Sequence, residues 1–164
     1  MSIPTNGVLG VDLTAKVTGT GTSYDQGNDF VLGTLVEATD GQQYVYVHAS
    51  AAITQYDAVG VDENFEAAPL TAAMAGDGWM VGVAQVAFSD NDFGWVAIRG
   101  HNLSCNLLTL CAADVGLRTS GTAGKLDDAT SGTALRGIVA VSANTTTATA
   151  AFEVLLTYPR SATF

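Results

Sequence analysis

The sequence predicts an all-β fold: a compact β-sandwich or partly open β-barrel built from hairpins, with little helix. Three observations support this prediction. Ala, Gly, Thr and Val dominate the composition, and β-branched residues favour pleated, half-buried strands. An Asp40-Gly41 dipeptide separates two apolar stretches, as in a tight hairpin. No segment of the 164 residues has the apolar periodicity of a long amphipathic helix.

The first 29 residues are interpreted as an N-terminal arm, followed by a single β-rich domain over residues 30–164. Gly and Thr are frequent in the arm, as in Gly19-Thr20-Gly21-Thr22. A segment of this kind becomes ordered against another surface, so its short apolar groups are candidate partner contacts. These groups comprise Ile3, Pro4, Val8 and Leu9. An ordinary first strand joined to a flexible loop explains the same composition, and both interpretations stay open.

Residues 30–49 show the clearest local pattern. Asp40-Gly41 suits the positive φ angles of a two-residue type I′ turn, which predicts a hairpin. The predicted cross-strand pairs are Thr39 with Gln42, Glu37 with Tyr44, and Leu35 with Tyr46.

Alternation along the second strand of this hairpin places Tyr44, Tyr46 and His48 on the face opposite Val45 and Val47. The aromatic stripe is either a second core layer or an exposed contact surface. The sequence does not distinguish these two roles of the stripe.

A unit over about residues 56–100 is predicted to recur over about residues 112–158. A displacement of 56 residues lays Ala58-Val59-Gly60-Val61 on Asp114-Val115-Gly116-Leu117. It also sets Leu70 on Leu126. The pattern predicts an internal duplication.

Inside the first unit, two alternating apolar segments, Trp79 to Phe88 and Phe93 to Gly100, flank the connector Ser89-Asp90-Asn91-Asp92. This arrangement predicts a hairpin with a four-residue loop. Between the strands, Pro69 to Ala75 could form a turn or two of helix, with Pro69 at its first position and Gly76 closing it. The matching segment of the second unit, Asp127 to Gly132, has no helical pattern, so the region is predicted to be irregular.

The last strand is predicted over Ala150 to Tyr158. We expect Pro159 to end it, because proline has no N–H to donate to a sheet.

The charge balance bears on the class of partner. Six Lys and Arg against 16 Asp and Glu give a net charge of −10. Because phosphate backbones require a basic patch, no nucleic-acid partner is expected. The N-terminus lacks the features of a signal peptide, and no stretch is apolar enough to span a bilayer. We therefore expect synthesis in a cytoplasm and no membrane partner.

The residues that carry chemistry are few. Cys105 and Cys111 fall in the apolar run from Leu103 to Cys111, about 20 Å apart if it is a strand, too far to bridge. Both are predicted to be buried free thiols. His48 and His101 lie in no catalytic or ligand motif. The sequence therefore predicts no enzymatic activity, no catalytic residue, no metal and no cofactor.

Four segments, taken in order, resemble the head-decoration or capsid cement proteins of tailed bacteriophages. The segments are Gln55-Tyr56-Asp57-Ala58-Val59-Gly60-Val61, Ala67-Ala68-Pro69-Leu70, Val81-Gly82-Val83-Ala84-Gln85-Val86-Ala87 and Gly94-Trp95-Val96-Ala97-Ile98-Arg99-Gly100. The resemblance covers residues 34–100 well and the second unit only loosely. Its motifs are patterns of small and apolar residues.

The resemblance implies a structural virion protein. Such a subunit, commonly a homotrimer, sits on the outer surface of the expanded capsid and bridges subunits of the major capsid protein. An N-terminal arm commonly makes part of that contact. Trp95 and Arg99, which share one face of a predicted strand, are added as candidate contact residues.

A second class of function fits the composition as well. A non-catalytic ligand-binding β-module, such as a carbohydrate- or receptor-binding domain of a phage fibre, would show aromatic side chains around a shallow groove. The candidate aromatics are Tyr44, Tyr46, Trp79 and Trp95.

Overall fold

A computed structural model describes residues 11–19 and 30–162, and it confirms the all-β prediction. Within these two ranges, eleven strands form one continuous sheet, accompanied by a single five-residue helix that is too short to cross a membrane. The elements in chain order are β1 (Lys16–Thr18), β2 (Leu35–Glu37), β3 (Gln43–Ala49), β4 (Ala58–Val61), β5 (Glu66–Pro69), α1 (Ala72–Gly76), β6 (Met80–Val83), β7 (Asp92–Leu107), β8 (Val115–Thr119), β9 (Leu126–Asp127), β10 (Ala134–Ala140) and β11 (Ala150–Ser161).

The strand pairings close two five-stranded circuits that share β7. In the first circuit, β3 pairs in parallel with β5, and the ring continues antiparallel through β4, β6 and β7 back to β3. In the second, β7 pairs in parallel with β9, and the ring continues antiparallel through β8, β10 and β11 back to β7. The β6–β7 and β7–β9 contacts are single residue pairs, so each circuit is a partly open barrel.

The two circuits repeat the same order of parallel and antiparallel pairings, as an internal duplication predicts. The first repeat begins at β4 and the second at β8, which match the segments aligned from the sequence. The sixteen residues of β7 serve as the last strand of one circuit and the first strand of the next.

Two apolar cores follow from this arrangement. The interior of the first circuit holds Val45, Val59 and Val96 with their neighbours. The larger cluster fills the second circuit, through residues such as Leu107 and Leu156, and extends over the outer side of the first. Side chains of β7 therefore contribute to both cores, since successive residues of a strand point to opposite faces.

The first hairpin forms with a register one residue away from the prediction. Leu35 lies opposite Val45 and Glu37 opposite Gln43. The connecting loop has three residues instead of two, because the Ala38 N–H donates to the Gln42 carbonyl and Gly41 adopts a φ of 81°. A three-residue loop that ends in a left-handed glycine is the next most common hairpin connection. The Asp-Gly dipeptide located the turn but did not determine its length.

The aromatic stripe of β3 is a second core layer. Tyr44 and Tyr46 are buried, and so is Trp95 on the neighbouring strand β7. Phe30 covers the last two, with ring centroids 5.5 Å from Tyr46 and 5.1 Å from Trp95. The segment that leads into β2 therefore closes this face of the first circuit.

Part of the predicted arm belongs to the domain. Lys16–Thr18 is β1, which pairs antiparallel with the start of β7, and Val11, Leu13 and Val17 pack against the larger core. Lys16 also forms an ion pair of 3.0 Å with the buried Asp92. An ordinary first strand, and not an arm, describes residues 11–19. Residues 1–10 and 20–29 lie outside the described part of the chain.

The predicted hairpin around residues 89–92 is only partly realised. Its turn forms, since the Asp92 N–H donates to the Ser89 carbonyl, but β6 ends at Val83 and pairs with β7 only through Ala97. The residues between β6 and β7 do not pair with β7, and Phe88 instead forms an isolated β-bridge with Ile53.

The helix and the last strand also differ from prediction. Thr71 caps α1 by accepting a hydrogen bond from the Met74 N–H, so the helix begins after Pro69 and not at it. Strand β11 runs past Pro159 to Ser161. The register of β11 against β10 jumps between Leu156 and Arg160, which leaves Pro159 in a bulge where no ladder bond needs its missing N–H.

A buried ion pair joins the two circuits. Asp57, at the start of β4, contacts the Lys125 ammonium that precedes β9, and their side chains are 4% and 17% exposed. The Asn106 amide of β7 donates to the same Asp57 oxygen at 2.7 Å. Asp57 therefore links an element of the first circuit, an element of the second and the strand that they share.

We expect Lys125→Met to lower the free energy of unfolding by roughly 3 kcal/mol, because it leaves the Asp57 carboxylate buried without its cation. The double variant Asp57→Asn/Lys125→Met should recover part of this loss. Urea unfolding measures both, and Arg99→Met, which removes an exposed cation, is the matched control. A loss in Lys125→Met no larger than in the control would contradict the structural role of the pair.

Candidate docking site

The exposed contact residue predicted from the sequence, Arg99, lies in a cross-strand row on the outside of the sheet. Registers place Glu37 opposite Gln43, Gln43 opposite Arg99, and Arg99 opposite Thr157. A bulge in β7 follows Ala97, so that Gln43 pairs with Arg99 while Tyr44 pairs with Ala97. Arg99 thus lies beyond the residues that bury Trp95, and its side chain is exposed.

Tyr158 completes this cluster. Its φ of 55° is left-handed, within the bulge of β11, and its side chain is 51% exposed. The ring lies over the Arg99 guanidinium at 5.9 Å from carbon to centroid, within range of a cation–π contact. The hydroxyl donates to Gln43 Oε1. Residues of β3, β7 and β11 thereby hold an aromatic ring and a cation in a fixed arrangement at the surface.

A shallow depression of about 320 Å³ lies beside Arg99, between the hairpin tip and β11. Its lining comprises Asp40, Gly41, Arg99, Gly100, His101, Leu155, Leu156 and Thr157. Its floor requires a glycine, because Gly100 has a φ of 131° and a Cβ there would lie 2.7 Å from the Gln42 side chain. The Gln42 side-chain amide in turn donates a hydrogen bond of 2.9 Å to the His101 carbonyl, which fixes the hairpin tip against β7.

The cluster and the depression suit binding to another macromolecule. Tyr and Arg are enriched at protein interfaces because each combines an apolar body with polar atoms. The depression is open and has one cation and one histidine. Within the described residues this site shows no nucleophile paired with a base, as covalent catalysis would need.

The other predicted contact residues do not join Arg99 at the surface. Tyr44, Tyr46 and Trp95 are between 2% and 6% exposed, so they form no contact surface in this fold. Burial of Tyr44, with a smaller effect from the Asp40 charge, raises the pKa of its hydroxyl. The predicted contacts Ile3, Pro4, Val8 and Leu9 fall outside the described residues.

A second groove lies at the opposite end of the first circuit. Trp79, Phe65, Val61 and Met80 line it together with Asp62, Glu63 and Gly78. Trp79 is partly exposed there. Of the four aromatic residues predicted for a ligand-binding groove, Trp79 lines this depression, and the other three are buried.

Both cysteines are buried and free, as predicted. Strand β7 ends at Leu107, so Cys111 lies in the turn that follows and not in the same strand as Cys105. Burial raises the pKa of both thiols, and the pKa of Cys111 rises to about 11, with further contributions from Asp128 and Asp127.

Cys111, Asp127 and Asp128 each offer one possible metal ligand, and these atoms lie within 4.8 Å of one another. Local hydrogen bonds explain the group without an ion. Asp128 accepts from the Ala112 N–H at 2.9 Å, Asp127 accepts from the Asp128 N–H at 2.9 Å, and Cys111 lies against the Ala112 carbonyl. We assign no metal to this cluster.

No family model, no curated protein and no solved structure matches the chain.

We expect both cysteines to react with iodoacetamide at pH 8 at least ~100-fold more slowly in the folded chain than in urea, since the thiolate is the reactive form. The raised pKa also has a linkage consequence. The raised pKa of Cys111 adds to the free energy of unfolding in full below about pH 8.5, the pKa of a thiol in an unfolded chain. This contribution is lost as the pH rises toward about 11, the pKa of Cys111 in the folded chain. Mass spectrometry of timed samples measures the alkylation. Equal rates in buffer and in urea would show that the thiols are accessible.

Proposed function

We propose that this chain is a structural virion protein, a decoration protein that binds the outer surface of an expanded phage capsid. One observation carries the proposal. The four segments that resemble decoration proteins fall on β4, β5, β6 and β7 with their flanking residues, which are consecutive strands of the first circuit. The resemblance therefore covers one folded unit and not scattered positions.

The surface chemistry supports a role in protein attachment. The cluster of Arg99, Tyr158 and Gln43 presents a fixed aromatic ring and a cation at the outside of the sheet. Leu155 adds an exposed apolar side chain beside it. Such a patch fits a contact with another protein, and the proposal assigns no catalytic residue and no cofactor.

Stabilisation of a capsid then follows from linkage. A protein that binds only the expanded lattice favours that lattice by its binding free energy, in proportion to its occupancy. If the chain forms a homotrimer, three weak contacts to subunits of the major capsid protein act together. Multivalent attachment of this kind gains roughly 10²- to 10⁴-fold over a single contact. The apolar residues Ile3, Pro4, Val8 and Leu9 are proposed as further contacts with the shell.

The test is co-sedimentation of the purified chain with shells that lack it, taken from the phage that encodes it, in expanded and unexpanded form. We expect saturable binding to expanded shells alone. Tyr158→Ala should weaken that binding about 30-fold, the effect of a residue worth about 2 kcal/mol at an interface. Leu110→Ala, which removes an exposed apolar side chain elsewhere, is the matched control.

Two outcomes would count against this proposal. Failure of the folded wild-type chain to bind either form of shell would contradict the decoration role. Normal binding by Tyr158→Ala would exclude the Arg99 cluster as the point of attachment while leaving the role itself intact.

The groove around Trp79 favours one alternative, a non-catalytic ligand-binding module. Its partly exposed aromatic rings, Trp79 and Phe65, have carboxylates on their border, and apolar walls with a few polar groups are typical of small-molecule sites. A glycan screen separates the two functions. A glycan that binds the wild-type chain and fails to bind Trp79→Ala would favour the ligand-binding module over the decoration protein.

A further inference from the structure

The cations of this acidic chain are distributed unevenly. Its six basic residues are two lysines and four arginines, all of them in the described part of the chain. Both lysines are held in ion pairs, Lys16 with Asp92 and Lys125 with Asp57. Among the described residues no carboxylate lies within 4.0 Å of any arginine.

Three of the arginines lie together on the outer face of the second circuit. Arg136 of β10 is directly opposite Arg160 of β11. Arg118 of β8 is opposite Ala134, two residues before Arg136 on the same strand and therefore on the same face. Arg136 and Arg160 are exposed, and Arg118 is partly exposed. We call this set the arginine face.

This arrangement is unfavourable for the isolated chain. Directly opposed residues of antiparallel strands have Cβ atoms on the order of 5 Å apart, and like charges at that position are destabilising. The described structure offers the arginine face one compensating contact, from Arg118 Nη1 to the Gly132 carbonyl at 3.2 Å. The guanidinium donors of Arg136 and Arg160 have no partner among the described residues.

We propose that the arginine face is a docking site for a carboxylate-rich surface of another protein. If the chain is a decoration protein, on which this inference rests, that surface belongs to the capsid shell. Guanidinium groups bind carboxylates through two parallel hydrogen bonds, which a set of opposed arginines can offer without rearrangement. An anionic partner would also relieve the repulsion between Arg136 and Arg160.

The overall charge argues against a nucleic-acid partner. Duplex DNA carries one charge per roughly 1.7 Å, and three arginines neutralise only a few phosphates. The remaining chain, with its net charge of −10, repels a polyanion of that density. A local protein carboxylate cluster avoids this long-range repulsion.

A second copy of the chain is also a poor occupant. A two-fold dimer through this face would oppose arginine to arginine. Seven of the 16 carboxylates of another copy instead already accept local hydrogen bonds or ion pairs. This holds for Asp12, Asp40, Asp57, Asp62, Asp92, Asp127 and Asp128.

The double variant Arg136→Gln/Arg160→Gln tests the inference, with Thr147→Glu/Thr149→Glu as the control. Both lower the net charge by two, but the control places its charges on exposed residues of the turn before β11. We expect the arginine variant to bind expanded shells at least 10-fold more weakly than the control, with a shallower dependence on salt. Equal binding by the two variants overturns the inference, whereas failure of the wild-type chain to bind shells contradicts the decoration role instead.

A second measurement needs no capsid. The full chain is titrated with tetra-L-glutamate and with tripolyphosphate, whose few charges limit the long-range repulsion, and binding is followed by calorimetry. We expect tetra-L-glutamate to bind the wild type and the control but not the arginine variant. Binding of tripolyphosphate alone, or no binding of either ligand, overturns the carboxylate assignment.

Stability and mass complete the test. The urea midpoint of the arginine variant should equal or exceed that of the wild type, because the opposed charges are gone. A fall in this midpoint would show that the arginines serve the fold, and would overturn the argument. An oligomer that dissociates on substitution of these arginines, detected by sedimentation, would make a second copy the occupant and overturn the assignment to another protein.

Discussion

The structure depends on a single constraint: one strand of sixteen residues, β7, is shared by two five-stranded circuits. Each circuit alone would be small and would have an open seam. Sharing β7 lets residues such as Val96 fill the first interior while Leu103 and Leu107 fill the second. Gly100 and Asn102, which have positive φ angles, lie between the two parts of the strand. The ion pair of Asp57 with Lys125 links the two circuits, and Asn106 of β7 donates a hydrogen bond to the same Asp57 carboxylate.

The same constraint explains where the surface chemistry lies. On the aromatic side of the first circuit, Phe30 packs over Tyr46 and Trp95, which are buried. The outer face of the second circuit has no such cover among the described residues. Arg99, Arg160, Arg136 and Arg118 lie on four adjacent strands of that sheet. An acidic protein thus places its four arginines on adjacent strands of one sheet.

Much of the fold could be predicted from the sequence, because its signals are local. Alternation identified β3, the Asp40-Gly41 pair located the first turn, and the internal similarity anticipated the repeated pairings. The errors arose where the outcome depends on contacts between distant segments. The length of the loop at Gly41 set the register between β2 and β3. A bulge in β11 accommodated Pro159. Packing of Phe30 buried the aromatic stripe of β3. For the candidate site, Arg99 was predicted as a contact residue from its strand position. Tyr158, Gln43 and the opposition of Arg136 to Arg160 depend on cross-strand register, which no local pattern specifies.

We propose that this chain attaches to a shell of other proteins through the outer side of its second circuit. A cryo-electron microscopy reconstruction of expanded shells saturated with the chain tests it most directly. The account predicts the arginine face turned toward the shell, with carboxylates of the shell protein within hydrogen-bonding distance of Arg136 and Arg160. A map in which that face points to solvent, while another part of the chain makes the contact, would contradict it.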